Sequence, residues 1–111
     1  MIKGVGTDII KISRVSLDEK HINRILSVEE IELLNTLHID KRKQEFLAGR
    51  FAAKEAISKA LGTGVIGFNL KDITIKWDEN HKPICEYNGL NIHVSISHSE
   101  EFAVAFAVIE E

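Results

Sequence analysis

The chain has one cysteine, Cys85, in 111 residues. That excludes an internal disulfide and any zinc cage built from thiolates, and it fits a reducing, cytoplasmic setting. Cys85 has no activating partner beside it in sequence and reads as a packing or surface residue. Long apolar runs are missing too: nothing approaches the ~20 residues a membrane span needs, and no secretory leader is expected ahead of the structured start. Four histidines (His21, His38, His81, His93) show no metal-ligand spacing and read as surface residues. There is no Ser-His-Asp cue, no Walker-type loop and no H-E-x-x-H signature. Repeats, linkers and low-complexity segments are absent as well.

The apolar share of 44% is ordinary for a folded domain. A chain this short makes one domain, residues 1–111, burying roughly 65% of its unfolded surface. The net charge of −3 hides an asymmetry. Between Asp40 and Gly62, six basic residues (Lys41, Arg42, Lys43, Arg50, Lys54, Lys59) face three acidic ones (Asp40, Glu45, Glu55). Residues 1–26 are also net basic. A positive half on an acidic protein points to a local anionic partner rather than to nucleic acid, although a solvated, salt-bridged helix face has the same composition.

Residues 2–12, IKGVGTDIIKI, predict a strand with a close backbone approach at Gly4 and Gly6. Ser13 to Arg24 reads as short helical pieces carrying Lys20 and Arg24. Ser27 is an N-cap with Glu30 as its capping-box partner, and Ile31, Leu34 and Leu37 form the buried stripe behind them. Asp40 is expected to cap the next, long helix, and Gly62 to end it. On that helix Phe46, Ala53, Ile57 and Ala60 share an apolar arc, while Ala48, Ala52, Glu55 and Lys59 form a separate stripe. Arg50 falls near the middle of the apolar arc, where a guanidinium must meet an anion, a carboxylate or an interface.

After residue 64 the period changes to two. Ile73, Ile75 and Trp77 alternate, Asp78–Lys82 turn, Pro83–Tyr87 return, and Asn88-Gly89 turn again. Ile92, Val94 and Ile96 share a strand face with His98. In the last strand Phe102, Val104, Phe106 and Val108 make a bulky face, and Ala103, Ala105 and Ala107 a flat one open to close approach by another element or another subunit. The expected class is α+β, a single domain with a long helix packed on an antiparallel sheet.

Asp8 lies in an apolar run, a costly place for a carboxylate unless it is paired or holds a cation. Glu55 is the other carboxylate in an apolar setting. Two carboxylates plus substrate phosphates suit a hard divalent ion such as Mg²⁺; an internal arginine or a cap would serve Asp8 equally well. Lys59, one turn after Glu55, makes either an ordinary i,i+4 pair or a phosphate contact. Gly62, Thr63 and Gly64 are either a helix stop or backbone N–H groups for phosphate oxygens. His98 is either a satisfied core histidine or a site residue.

The segments G-V-G-T-D (4–8), F-L-A-G-R-F-A-A-K-E-A (46–56), S-K-A-L-G-T-G (58–64) and S-I-S-H-S (95–99), taken together, closely resemble the holo-acyl-carrier-protein synthases. These are the short, single-unit 4′-phosphopantetheinyl transferases, and the likeness runs over essentially the whole chain in the same order and spacing. The resemblance implies transfer of 4′-phosphopantetheine from coenzyme A to a serine of apo acyl carrier protein, in support of fatty acid biosynthesis, with release of adenosine 3′,5′-bisphosphate. It implies that Asp8 and Glu55 hold Mg²⁺ and that Lys59 contacts the same phosphates. It also implies that Arg42, Arg50 and His98 line the coenzyme A site near the 3′-phosphate and adenine. The short members form homotrimers with sites between adjacent subunits, which would account for Arg50 and the alanine face. Glu55, directly or through a metal-ordered water, is the candidate base for the serine proton. The acidic carrier protein is expected to dock on Arg14, Lys20 and Arg24. A non-catalytic binder of coenzyme A and a hydrolase of its pyrophosphate are the competing readings, with neither nucleic acid nor membrane as a partner.

Overall fold

The computed structural model describes residues 1–62 and 69–111. In chain order these form strand β1 (Ile2–Lys11), a 3₁₀ turn (Ile12–Arg14), helices α1 (Glu19–Ile25), α2 (Val28–Leu34) and α3 (Asp40–Leu61), and a second 3₁₀ turn (Leu70–Asp72). Strands β2 (Ile75–Trp77), β3 (Pro83–Tyr87), β4 (Leu90–His98) and β5 (Phe102–Glu110) follow. The five strands make one antiparallel sheet in the order β1-β5-β4-β3-β2, so the N-terminal strand closes onto the C-terminal one. The expected long helix on an antiparallel sheet is what is found. Among the described residues no helix is long and apolar enough to cross a membrane.

The turns follow their residue types. Asn88 and Gly89, at φ 51° and 74°, connect β3 to β4 through the two-residue hairpin that this dipeptide favours. Ser27 and Glu30 form the full capping box at the start of α2. Asp40, however, does not cap α3: Ile39 holds the N-cap position with extended backbone and no side-chain cap bond. Asp40 is already the first helical residue, so its carboxylate complements the helix dipole without accepting a capping bond.

Alanines set the distance between helix and sheet. Ala48, Ala52, Ala53 and Ala56 on α3 and Ala103, Ala105 and Ala107 on β5 are all essentially inaccessible. Each contributes little apolar area, about one CH₂-sized increment of 0.8 kcal/mol per carbon, but together they let backbones approach closely. The approach is tightest at β1. A Cβ built on Gly4 would stand 2.0 Å from the carbonyl oxygen of Ala60, and one on Gly6 2.0 Å from that of Ala56. Larger side chains fill the ends: Ile57, Ile73, Ile75, Ile92 and Ile109 on one side, Ile12, Ile25, Leu26, Leu34 and Leu47 on the other.

The flat alanine face is therefore covered by α3 of the same chain, not by another subunit. The bulky face of β5 is the open one, with Phe102, Val104 and Phe106 between 39% and 48% exposed. Cross-strand pairing sets Thr7 opposite Phe106 and Ile9 opposite Val104, so Val5 and Ile9 extend that apolar face onto β1.

Candidate active site

The glycine contacts on β1 decide where Asp8 goes. Gly4 lies over Ala60 and Gly6 over Ala56, so β1 runs against α3 with each two-residue step matching one helical turn. Asp8 is the next residue on that face, and it arrives beside Glu55. The two carboxylates line one cleft of about 400 Å³ together with Arg14, His21 and Phe51. Burial raises the proton affinity of Glu55, the charge of Asp8 raises it further, and Lys59 opposes both. Lys59 reaches across to β1: its Nζ donates to Asp8 Oδ1 at 3.0 Å and to the Thr7 carbonyl at 2.9 Å. Its ion-pair partner is thus Asp8, 51 residues away, rather than the Glu55 one turn back. With the lysine half exposed, this pair adds about 0–1 kcal/mol of stability at most.

Two carboxylates with an exposed ammonium beside them fit a hard divalent cation whose remaining ligands are water and phosphate oxygens. Among the described residues there is no group of three or more His, Cys, Asp or Glu able to hold a metal alone.

Arg14, a docking candidate, is part of the wall of this acidic cleft. Lys20 and Arg24 are exposed on α1, which the cleft borders through His21. His21 is not the surface residue its spacing implied: it is partly buried and lines the cleft, with Nε2 inaccessible and without a hydrogen-bond partner among the described residues. A histidine in the first turn of a seven-residue helix carries no sequence signal for this. Gly62 ends α3 at φ 95° as expected. Its N–H is occupied by the carbonyls of Ser58 and Lys59, so it is not free for a phosphate. Thr63 and Gly64 lie outside the described residues.

Arg42, Arg50 and His98 come together elsewhere, around a second cleft of about 380 Å³ that also takes in Phe46 and Trp77. The two clefts share no lining residue. Glu55 and Arg50, five residues apart on α3, point about 140° away from each other around the helix. Within one copy of the chain, the predicted site is divided in two.

Arg50 is 3% exposed, and its burial is supported from several sides. Its guanidinium lies 4.1 Å from the Phe46 ring centroid and 4.6 Å from that of Trp77. Nη2 donates to the Ile75 carbonyl at 3.4 Å, and Nε is 3.9 Å from Glu30 Oε2. Burial lowers its pKa to about 10, against the pull of Glu30, so it stays charged at neutral pH. Glu30, the capping-box partner of Ser27, is also the hub of a buried ionic cluster. It accepts from the backbone N–H groups of Ser27 and Ile75 and pairs closely with Lys54, which donates in turn to the Ile25 carbonyl. Lys54, like Glu30, is fully buried, and its pKa is lowered by burial. Neither Glu30 as a cap nor Lys54 in a basic run gives a local sign of this cluster, whose members are 20 and 24 residues apart. His98 faces Glu45, Nδ1 to Oε2 at 3.8 Å, and is half exposed, not a core histidine.

A family model for the 4′-phosphopantetheinyl transferase superfamily matches residues 4–107. A holo-[acyl-carrier-protein] synthase of Geobacillus sp. is 52% identical over 118 residues, covering 99% of this chain and 98% of its own. That of Staphylococcus saprophyticus is 44% identical over 117 residues, with 99% of each chain covered. The crystal structure of a holo-(acyl-carrier-protein) synthase from Bacillus anthracis in complex with CoA (3′,5′-ADP) shares 45% identity at a TM-score of 0.91, covering 100% of this chain and 98% of that one.

Proposed function

The chain belongs to the 4′-phosphopantetheinyl transferase superfamily, and we propose that its chemistry takes place where Asp8 and Glu55 meet. It transfers the 4′-phosphopantetheine arm of coenzyme A to a serine of apo acyl carrier protein, yielding holo acyl carrier protein and adenosine 3′,5′-bisphosphate. The serine oxygen forms a bond to the phosphorus next to the pantetheine arm. The bond from that phosphorus to the bridging pyrophosphate oxygen breaks, and the electron pair leaves with the nucleotide.

Such a reaction asks the protein for positioning and for positive charge at the pyrophosphate, with little covalent chemistry of its own. Mg²⁺, held by Asp8 and Glu55, would supply the neutralisation of the pyrophosphate oxygens when bound. Lys59, already drawn to Asp8, swings its ammonium onto the same phosphates. Glu55, directly or through a metal-ordered water, takes the serine proton. The observation that carries this reading is the convergence of those two acids in one cleft.

The second cleft supports a site for the nucleotide half, with Arg42, Arg50 and His98 facing its phosphates and base. A homotrimer with active clefts between adjacent copies satisfies two observations at once. It joins acidic and basic half-sites that one chain keeps apart, and it covers the apolar outer face of β1 and β5. Arg14 on the wall of the acidic cleft, with Lys20 and Arg24 on the helix that borders it, receives the acidic carrier protein. The setting is cytoplasmic, in service of fatty acid biosynthesis.

The test is to incubate the protein with Mg²⁺, coenzyme A and an apo acyl carrier protein and to weigh the carrier by mass spectrometry. A gain equal to phosphopantetheine, lost when Mg²⁺ is chelated, is the expected result. Cleaved coenzyme A with an unmodified carrier would mean hydrolysis, and no change in either would mean a binding module; both overturn the reading.

A further inference from the structure

Trp77 is the one tryptophan of the chain, and it stands 42% exposed at the end of the edge strand β2. The two-residue period of the strand puts it on the face of Ile75, which is fully buried against α3. The indole is therefore directed to the helix side of the sheet, just beyond the core, and its exposed part opens into the second cleft. The Arg50 guanidinium lies 4.6 Å from the ring centroid and is immobilised by the Ile75 carbonyl, Glu30 and Phe46. Arg42 and His98 complete the wall, with Glu45 turned toward His98. The cleft so offers cations for phosphates beside an indole that is partly exposed and whose cationic neighbour is already in place. Support of Arg50 uses only part of that indole; its exposed part suits a ligand that carries a planar heterocycle as well as anions.

We infer that Trp77 is a substrate-binding residue that receives the purine ring of the nucleotide half of coenzyme A, while Arg42, Arg50 and His98 meet its phosphates. The inference rests on the assignment of this cleft to coenzyme A. Base–aromatic stacking tolerates many bases and depends on ring area, so phenylalanine serves here and alanine does not.

A lone tryptophan reports on itself. With 295 nm excitation, saturating adenosine 3′,5′-bisphosphate should quench the emission of Trp77, while 4′-phosphopantetheine and inorganic phosphate should leave it unchanged. In steady-state assays Trp77→Ala should raise KM for coenzyme A about tenfold, equivalent to 1.4 kcal/mol, with kcat changed less than twofold. Trp77→Phe should restore most of the loss. Loss of thermal stability without a change in KM would show a merely structural tryptophan and overturn the inference. Equal quenching by inorganic phosphate would overturn it too, since the signal would then report the anion on Arg50 and no stacked base. Arg42→Ala separates the two levels. If it weakens coenzyme A binding and Trp77→Ala does not, the cleft keeps its assignment and the role of Trp77 falls. If neither does, both fall.

Discussion

Gly6 and Ala56 are in backbone contact: a methyl group on the glycine would overlap the alanine's carbonyl oxygen, at 2.0 Å. That contact holds β1 against α3 at the spacing of two glycines and two alanines, and it carries Asp8 to Glu55. The acidic cleft thus follows from a close backbone approach between β1 and α3.

Asp8→Ala and Glu55→Ala should each reduce transfer by about 10³-fold or more, the several kcal/mol expected of a lost metal ligand. Circular dichroism should show the fold retained, because neither side chain belongs to the core. Near-normal carrier modification by either variant, measured by mass, would remove the assignment.

The raised proton affinity of Glu55 has a signed consequence for stability. A carboxyl that binds its proton more tightly when folded contributes stability at acid pH and loses it as pH rises from the ordinary value of 4.5 through its own raised value. In metal-free protein, Glu55→Gln should therefore have the higher melting temperature at neutral pH, and the gap should close on acidification below that window. Added Mg²⁺ should stabilise the parent and not the variant. Parallel melting curves across the pH range would contradict the cause given for the shift.

Glu30→Ala leaves Lys54 and Arg50 buried without their carboxylate. Removing one partner from a buried ionic cluster costs about 3–5 kcal/mol, a large share of the stability of a domain this size. Denaturant unfolding should show a midpoint lowered accordingly, with transfer at low temperature reduced chiefly through KM for coenzyme A, since Arg50 loses its anchor.

The outer face of β1 and β5 should join copies of the chain. Phe106→Glu, a charge in the middle of that face, should yield monomers by sedimentation and abolish transfer by separating the half-sites. Conversely, mixing Asp8→Ala with Arg42→Ala copies should restore up to about a quarter of parental activity at limiting coenzyme A, as random head-to-tail assembly predicts. No recovery in a mixture that demonstrably exchanges subunits would place both half-sites within one copy.

Lys20→Ala combined with Arg24→Ala should raise KM for the acyl carrier protein several-fold at low salt and much less at 0.5 M salt, where exposed charges are screened within a few ångström. Unchanged KM at low ionic strength would move the docking surface elsewhere.

Periodicity and turn chemistry were enough to place the strands, the capping box at Ser27, the Asn88-Gly89 hairpin and the glycine approach, because each depends on residues within a few positions of one another. Asp8 and Glu55 were legible for a related reason: a carboxylate in an apolar setting stands out against its own neighbours. The surroundings of Glu30, Lys54, His21 and Trp77 were hidden, since along the chain they resemble a cap, a basic run, a surface histidine and an alternating strand residue. Folding alone settled that Lys59 turns to Asp8, that the alanine face belongs to α3, and that Asp8 and Glu55 line one cleft while Arg42, Arg50 and His98 line another. Those outcomes hinge on pairings across tens of residues, where packing distance and desolvation choose among partners that local spacing leaves equivalent.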